Sequence, residues 1–258
     1  QMVAYVLALL QGNLGFSYYY KDEVSSVIMG ALPWTLLLVS LSLLIATVVG
    51  VMLGIESGYR RGERIDRGLL AGLMLLGGLP HFFLGIVLLL IFGVSLNLFP
   101  LSGALTPYSG LEGLPLLADI ARHLALPLAA LVLVDLGGIY LLTRNTVVTI
   151  LKEGFMLTAR AKGCSEFCLR YSHAGRNALL PVTTATGLRI PQLITEALFI
   201  EIIFSYPGLG LMLRTALDAR DYPLIQGILL LVTITVLFAN MIVDHIYKRL
   251  DPRIRYAY

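Results

Sequence analysis

ALPWTLLLVSLSLLIATVVGVMLGIE, residues Ala31–Glu56, runs through twenty-five positions without an ionisable side chain before it reaches Glu56. A helix rises about 1.5 Å per residue and a bilayer's hydrocarbon core is roughly 30 Å thick, so this stretch is long enough to cross one. Four more runs share its character: Gly68–Leu96, His123–Thr143, Ala178–Phe204 and Pro223–Tyr247, the fourth of the five being the least apolar. Across 258 residues the chain is 57% hydrophobic and only 14% charged, with a mean hydropathy of +0.83. A soluble domain carries roughly 25% charged residues, so a soluble enzyme is excluded. A transmembrane β-barrel would instead show segments of about ten alternating residues. The predicted fold class is therefore all-α: a polytopic membrane helix bundle forming a single domain over residues 1–258.

Basic residues give the direction of the spans. Fourteen Lys and Arg fall after the first, third and fifth runs, whereas only Lys21, Arg122, Arg214 and Arg220 fall on the other side and Arg189 lies inside the fourth. Loops rich in Lys and Arg stay in the cytoplasm, which predicts a multi-pass protein of the cytoplasmic (inner) membrane with a cytoplasmic C-terminus. Five spans then leave residue 1 outside, and a further N-terminal helix upstream is expected. The apolar run Met2–Leu10 is too short to span and reads as an interfacial helix. The net charge of +3, spread through short loops, gives no support to nucleic-acid binding.

Residues 144–177 separate the third and fourth spans and do not read as a slack linker. Phe155–Lys162 is helix-forming and is followed by Gly163, a natural helix terminator; Ser165 can cap a second short helix over Glu166–Asn177. Cys164, Cys168 and His173 lie close in sequence here. A structural zinc site uses four ligands in characteristic pairs, so no metal site is assigned, and cytoplasmic thiols stay reduced, so no disulfide is implied. No G-x-x-x-x-G-K-[ST] loop cradles phosphates and no nucleophile stands with a histidine and an acid as a hydrolytic triad. The chain reads as a non-enzyme with no catalytic residues and no cofactor of its own.

The stretch FMLTARAKG (155–163), followed by RNALLP (176–181), resembles the cytoplasmic EAA-type loop of binding-protein-dependent ABC importer permeases, in the version of the peptide/nickel permease family. Other segments carry the same resemblance: GNLGFS (12–17), FSYPGLG (204–210), DYP (221–223) and LDPRIRY (250–256). The Glu for which the motif is named is matched by Leu157, and Gly163 stands 18 residues before Pro181, as is usual in the peptide/nickel branch. The resemblance covers essentially the whole chain, lacks the family's first helix, and implies a type I ABC importer permease-like bundle. It implies that Thr158, Ala159, Arg160, Ala161, Lys162, Gly163, Cys164, Ser165 and Glu166 contact a cytoplasmic ATPase. It further implies a second homologous permease subunit, two ABC ATPase subunits carrying ATP and Mg, and an extracytoplasmic solute-binding protein facing the outward segments Asn97–Arg122 and Ser205–Tyr222.

Ionisable groups at membrane depth cost roughly 2.5 to 3.5 kcal/mol on insertion scales and so face an interior or a cavity. Thr186, Arg189, Gln192 and Glu196 recur along one stripe of the fourth span, and Asp135 lies in the middle of the third. These five are the candidate translocation path; the alternative is that Arg189 pairs with Asp135 or Glu196 to hold helices together. Glu201, Asp244 and His81 show no partner in the sequence and read as structural. Pro191 should bend the fourth span, Gly77, Gly78, Gly137 and Gly138 permit close helix approach, and Tyr206–Gly210 reads as a re-entrant or interfacial turn. The resemblance implies di- or oligopeptides, a nickel chelate or another solute as cargo, and because the spans carry no Met- or His-rich stripe the expected cargo is di- or oligopeptides, with a nickel chelate as the alternative. An ion-coupled secondary transporter working through Asp135 and Glu196 is the reading from a different class, but no inverted repeat supports it.

Overall fold

The computed structural model describes residues 12–250, with side chains as far as Met241. The expected interfacial run Met2–Leu10, the side chain of Asp244 and the ending after Leu250 lie outside the described residues. A hairpin of two-residue strands comes first, β1 (Phe16–Ser17) antiparallel to β2 (Asp22–Glu23). Eight helices follow: α1 (Val24–Tyr59), α2 (Arg64–Gly77), α3 (His81–Leu88, continued by a π-helical Leu89–Ser95), α4 (Leu114–Ile150), α5 (Gly154–Ala161), α6 (Arg176–Ile203), α7 (Leu209–Asp218) and α8 (Tyr222–Leu250). A second π-helical segment, Cys168–Gly175, leads into α6.

The long helices α1 and α4, at 36 and 37 residues, form the central seam. Gly50, Gly54 and Gly58 recur at i, i+4, i+8 on α1 and bring its backbone against Ile139, Thr143, Arg144 and Val147 of α4. A Cβ on Gly54 would stand 2.6 Å from Cβ of Thr143, so this approach exists only because the side chains are hydrogen atoms. Small residues at four-residue spacing are how membrane helices gain van der Waals contact when lipid supplies no hydrophobic drive between them. Gly137 on α4 meets the backbone of Leu73 on α2 in the same way.

The range 68–96 is not one helix. α2 and α3 are bent by 101° at Gly78–Pro80, where a glycine ends α2 and the residue before proline is driven out of the helical region. Among the described residues, α1, α4 and α8 are long and apolar enough to cross a membrane, and the bent α2–α3 pair makes a fourth candidate. α6 falls short because of the polar stripe it carries. It runs unbroken through Pro181 and Pro191, with the Thr195 hydroxyl donating to the Pro191 carbonyl (3.3 Å).

The loop between α4 and α6 also departs from expectation. α5 ends at Gly163 in a left-handed turn (φ +79°), as anticipated, but the second helix does not stop at Asn177. From Glu166 the helix passes through the π-helical segment into α6 without a break, Gly175 itself being helical. Met156 and Ala159 of α5 are buried with Leu169, Ala174, Val147 and Ile55, so an apolar cluster of its own clamps this elbow to the bundle. A larger core joins Leu38, Leu131, Leu193 and Ile200 near the middle, while Leu44, Met52, Leu75, Leu237 and Phe238 form part of an exposed apolar exterior suited to lipid.

Candidate functional site

Four of the five candidate path residues converge, joined by one the sequence had left without a partner. Asp135, on α4 and nearly inaccessible, pairs with the Arg189 guanidinium of α6. The other arm of Arg189 donates to Gln192 Oε1 (2.8 Å). His81 opens α3 directly after the Pro80 break, which aims its ring inward, and its Nε2 lies 3.8 Å from Asp135 Oδ2 and 3.4 Å from Glu196 Oε2. His81, which shows no partner in the sequence, therefore has two in the structure. No periodicity ties residue 81 to 135 or 196; only the bend at Gly78–Pro80 does.

Thr186, the fifth residue, does not touch this cluster by hydrogen bonds. It lines a cavity of about 330 Å³ together with Gly77, Asp135, Gly138 and Arg189. Among the described residues the site is under-satisfied: Thr186 Oγ1, His81 Nε2 and Glu196 Oε2 are buried without an aligned hydrogen-bond partner. Buried polar groups almost always find one, which makes three such atoms around one site unusual. Of the two pairings open to Arg189, the structure makes the one with Asp135.

At the basic end of the bundle, Thr158, Arg160, Ala161, Lys162, Gly163, Ser165 and Glu166 are exposed, with Leu157 and Phe167 exposed beside them. Cys164 is half-buried, and Ala159 points inward (7% exposed), so it holds α5 down and presents nothing outward. Ser165 caps the next helix, its hydroxyl accepting from the Cys168 N–H (3.3 Å). The elbow is tied to α1 by Arg170, which donates to Glu56 (2.6 Å) and lies 4.5 Å over the Tyr59 ring, and by the Tyr59 hydroxyl on Glu166. Beside it, Arg144 holds Asp66 through two bonds (2.6 and 2.7 Å), Ser57 adds a third (2.5 Å), the Gly62 N–H a fourth (2.8 Å), and Tyr140 meets Ser57 at 2.6 Å. Sequence reading treated these arginines only as topology signals. Their partners are too distant in sequence to be seen there.

Three of the remaining motif stretches, 12–17, 204–210 and 221–223, are staples at the opposite end. Ser17 donates to Asp221 (2.6 Å), the Tyr19 N–H donates to the same carboxylate (3.0 Å), and Asp221 caps α8 through the Leu224 N–H (3.4 Å). Glu201 has a partner after all: it accepts the Gly210 N–H (2.6 Å) at the start of α7, while its backbone carbonyl accepts from Tyr206 (2.8 Å). Gly208 and Gly210 lie against Glu201 and Leu198 with no space for a Cβ, which explains the glycines of Tyr206–Gly210.

Comparison with known proteins gives the family and agrees with the fold. Residues 46–256 match the family model described as the inner membrane component of binding-protein-dependent transport systems. The chain is 36% identical to the di/tripeptide transport system permease protein DppB of Pseudomonas aeruginosa, over 99% of its own length and 80% of that protein's. It is 35% identical to the oligopeptide transport system permease protein AppB of Bacillus subtilis (96% and 78%) and 34% identical to the dipeptide permease protein DppB of Escherichia coli (99% and 80%). In fold it is similar to an inward-facing structure of the MetNI methionine ABC transporter (TM-score 0.69, 14% identity, 88% of this chain and 97% of that one) and to an amino acid ABC transporter (TM-score 0.63, 14% identity, 87% and 94%). With a bent α2–α3 pair, an exposed basic elbow and a polar centre on a multi-pass helical bundle, this chain belongs to the family of binding-protein-dependent transport system inner membrane components.

Proposed function

We propose that this chain is a permease subunit that moves di- or oligopeptides across the cytoplasmic membrane in an ATP-driven importer, its C-terminus in the cytoplasm. The observation that carries the reading is near full-length identity of 34–36% with three permeases named for peptide transport. It pairs with a second homologous permease subunit. Two cytoplasmic ATPases, which hold ATP and Mg, dock at Thr158–Glu166, and a solute-binding protein delivers cargo to the Asn97–Arg122 and Ser205–Tyr222 side. The exposed mixture of Arg160, Lys162 and Glu166 with Leu157 and Phe167 suits such a contact, apolar anchors ringed by charge.

Closure of the ATPases pushes α5, and the elbow passes the displacement on because the helix from Glu166 is continuous with α6. α6 carries Thr186, Arg189, Gln192 and Glu196, so its tilt rearranges the polar cluster against Asp135 and His81. That is a population shift between two bundle states, driven by a partner's ligand. In this reading the under-satisfied cluster lines the path and takes up water or the polar backbone of the cargo.

The test is ATP hydrolysis by the complete complex in lipid nanodiscs, with the binding protein loaded with a peptide mixture or with a nickel chelate. Stimulation by the peptides alone supports the proposal, and stimulation by the chelate alone replaces the cargo. The Gly163→Arg variant places a bulky side chain at φ +79° on the docking face and should abolish stimulation. If no ATPase associates with the native chain, the docking assignment is wrong.

A further inference from the structure

The elbow holds a second group of chemistry-bearing side chains, of which Cys164 alone falls within the proposed docking segment Thr158–Glu166. Cys164, Cys168 and His173 each present one donor atom, and the three atoms lie within 4.8 Å of one another, with Cys164 Sγ 3.9 Å from His173 Nε2. We propose that these residues form an exchangeable binding site for a thiophilic divalent cation of the Zn²⁺ class.

Two backbone departures build the site. The left-handed turn at Gly163 swings Cys164 back beside the start of the following helix. The π-helical segment then begins at Cys168 itself. On an α-helix, residues five apart point about 140° from one another, which would carry His173 away from Cys168. A π-turn closes its hydrogen bonds at i→i+5 and stacks the two, and such turns are frequent at functional sites.

The donor set matches the cation. Two thiolates and an imidazole are soft to intermediate ligands that select zinc-like ions over magnesium or calcium. At Zn–S of about 2.3 Å and Zn–N of about 2.0 Å, tetrahedral ligands stand about 3.6 to 3.8 Å apart, so side-chain rotations of roughly 1 Å close the present spacing. Three protein ligands leave a fourth position open for water, whereas closed structural sites use four protein ligands. All three residues are half-exposed, which leaves an entry path. Binding forms two S–metal bonds and one N–metal bond and releases the two thiol protons to solvent. The ion would staple the end of the α5 turn to the helix that becomes α6, stiffening the elbow.

The experiment uses the untagged full chain in the complex with which it purifies, reduced and metal-free. Titration with Co²⁺ should give one equivalent per chain with thiolate-to-metal charge-transfer absorption, displaced stoichiometrically by Zn²⁺. Zn²⁺ should protect both cysteines from maleimide, read by mass spectrometry. Cys168→Ser and His173→Asn should each weaken Zn²⁺ binding by roughly a hundredfold or more while leaving the melting temperature of the metal-free complex unchanged. Absorption that survives in Cys164→Ser/Cys168→Ser, absence of any thiolate band in the native protein, or a Cys164–Cys168 disulfide in protein taken from the cytoplasm under anaerobic conditions would each overturn the site. None of these readouts depends on transport, so the peptide reading can fail while this one stands.

Discussion

Two arginine–aspartate pairs share α4, nine residues apart, and they are finished to different degrees. At the basic end, Arg144 meets Asp66 in a bidentate pair, Ser57 and the Gly62 N–H fill further lone pairs of the carboxylate, and Tyr140 supports Ser57. At the centre, Asp135 meets Arg189, but the guanidinium side chain is 40% exposed, His81 and Glu196 face each other at 3.4 Å without alignment, and a cavity adjoins. A complete network has one arrangement and resists change; an incomplete one has room for several. The first therefore holds the bundle together, and the second is where a change of state has least to break.

Breaking the finished pair gives the largest effect. Arg144→Ala leaves Asp66 charged, buried and missing its bidentate partner, which costs about 3 to 5 kcal/mol. Thermal melting of the purified complex and its membrane yield should both fall, and Asp66→Ala added to Arg144→Ala should restore part of the loss. Equal damage in the single and double variants would mean that the pair's completeness is not what matters.

Next comes the seam that places both pairs. Gly54→Leu forces a side chain where even a Cβ would stand 2.6 Å from Thr143, and overpacking of this kind costs about 1 to 3 kcal/mol. A melting temperature within error of the native protein would show that α1 can move away from α4 without penalty.

Arg189→Ala sharpens the contrast from the other side. Uptake of labelled dipeptide should drop at least about tenfold, equivalent to roughly 1.4 kcal/mol, while assembly and melting change less than in Arg144→Ala. Loss of assembly with intact turnover in the surviving complexes would move Arg189 into the structural class with Arg144.

The two pairs also differ in how far the sequence reveals them. Span candidates were legible because hydropathy is a local property, and Asp135, Arg189, Gln192 and Glu196 were legible because charge in an apolar run is conspicuous. His81 was not, since its role depends on the 101° bend between α2 and α3. Glycines at 50, 54 and 58 have the spacing of a contact stripe, a signal available but unused. The continuity of the elbow with α6 was hidden by helix-cap rules: Ser165 does cap, but nothing local marks that the helix it starts runs through a π-turn and on past Asn177 as α6. Asp66 and Arg144 stand 78 residues apart, and only the close approach of the helices brings them together.

The staple at the far end gives the smallest effect and tests the same idea through pH. Burial works against ionisation of Asp221, but the bonds from Ser17, the Tyr19 N–H and the Leu224 N–H outweigh it and hold its carboxyl below the usual carboxylate range. A depressed folded-state pKa contributes stability above the unfolded value, about 3.9, and that contribution is lost as pH falls through the folded value. Ser17→Ala removes one of the three bonds and should cost about 1 kcal/mol at pH 7. Melting curves of native and variant protein should run parallel from pH 8 to 5 and approach each other below pH 4, as the carboxylate that the hydroxyl serves becomes protonated. A gap that stays constant down to pH 3 would mean that Ser17 acts through packing, and that the Asp221 network, like the centre of the bundle, is less complete than its geometry implies.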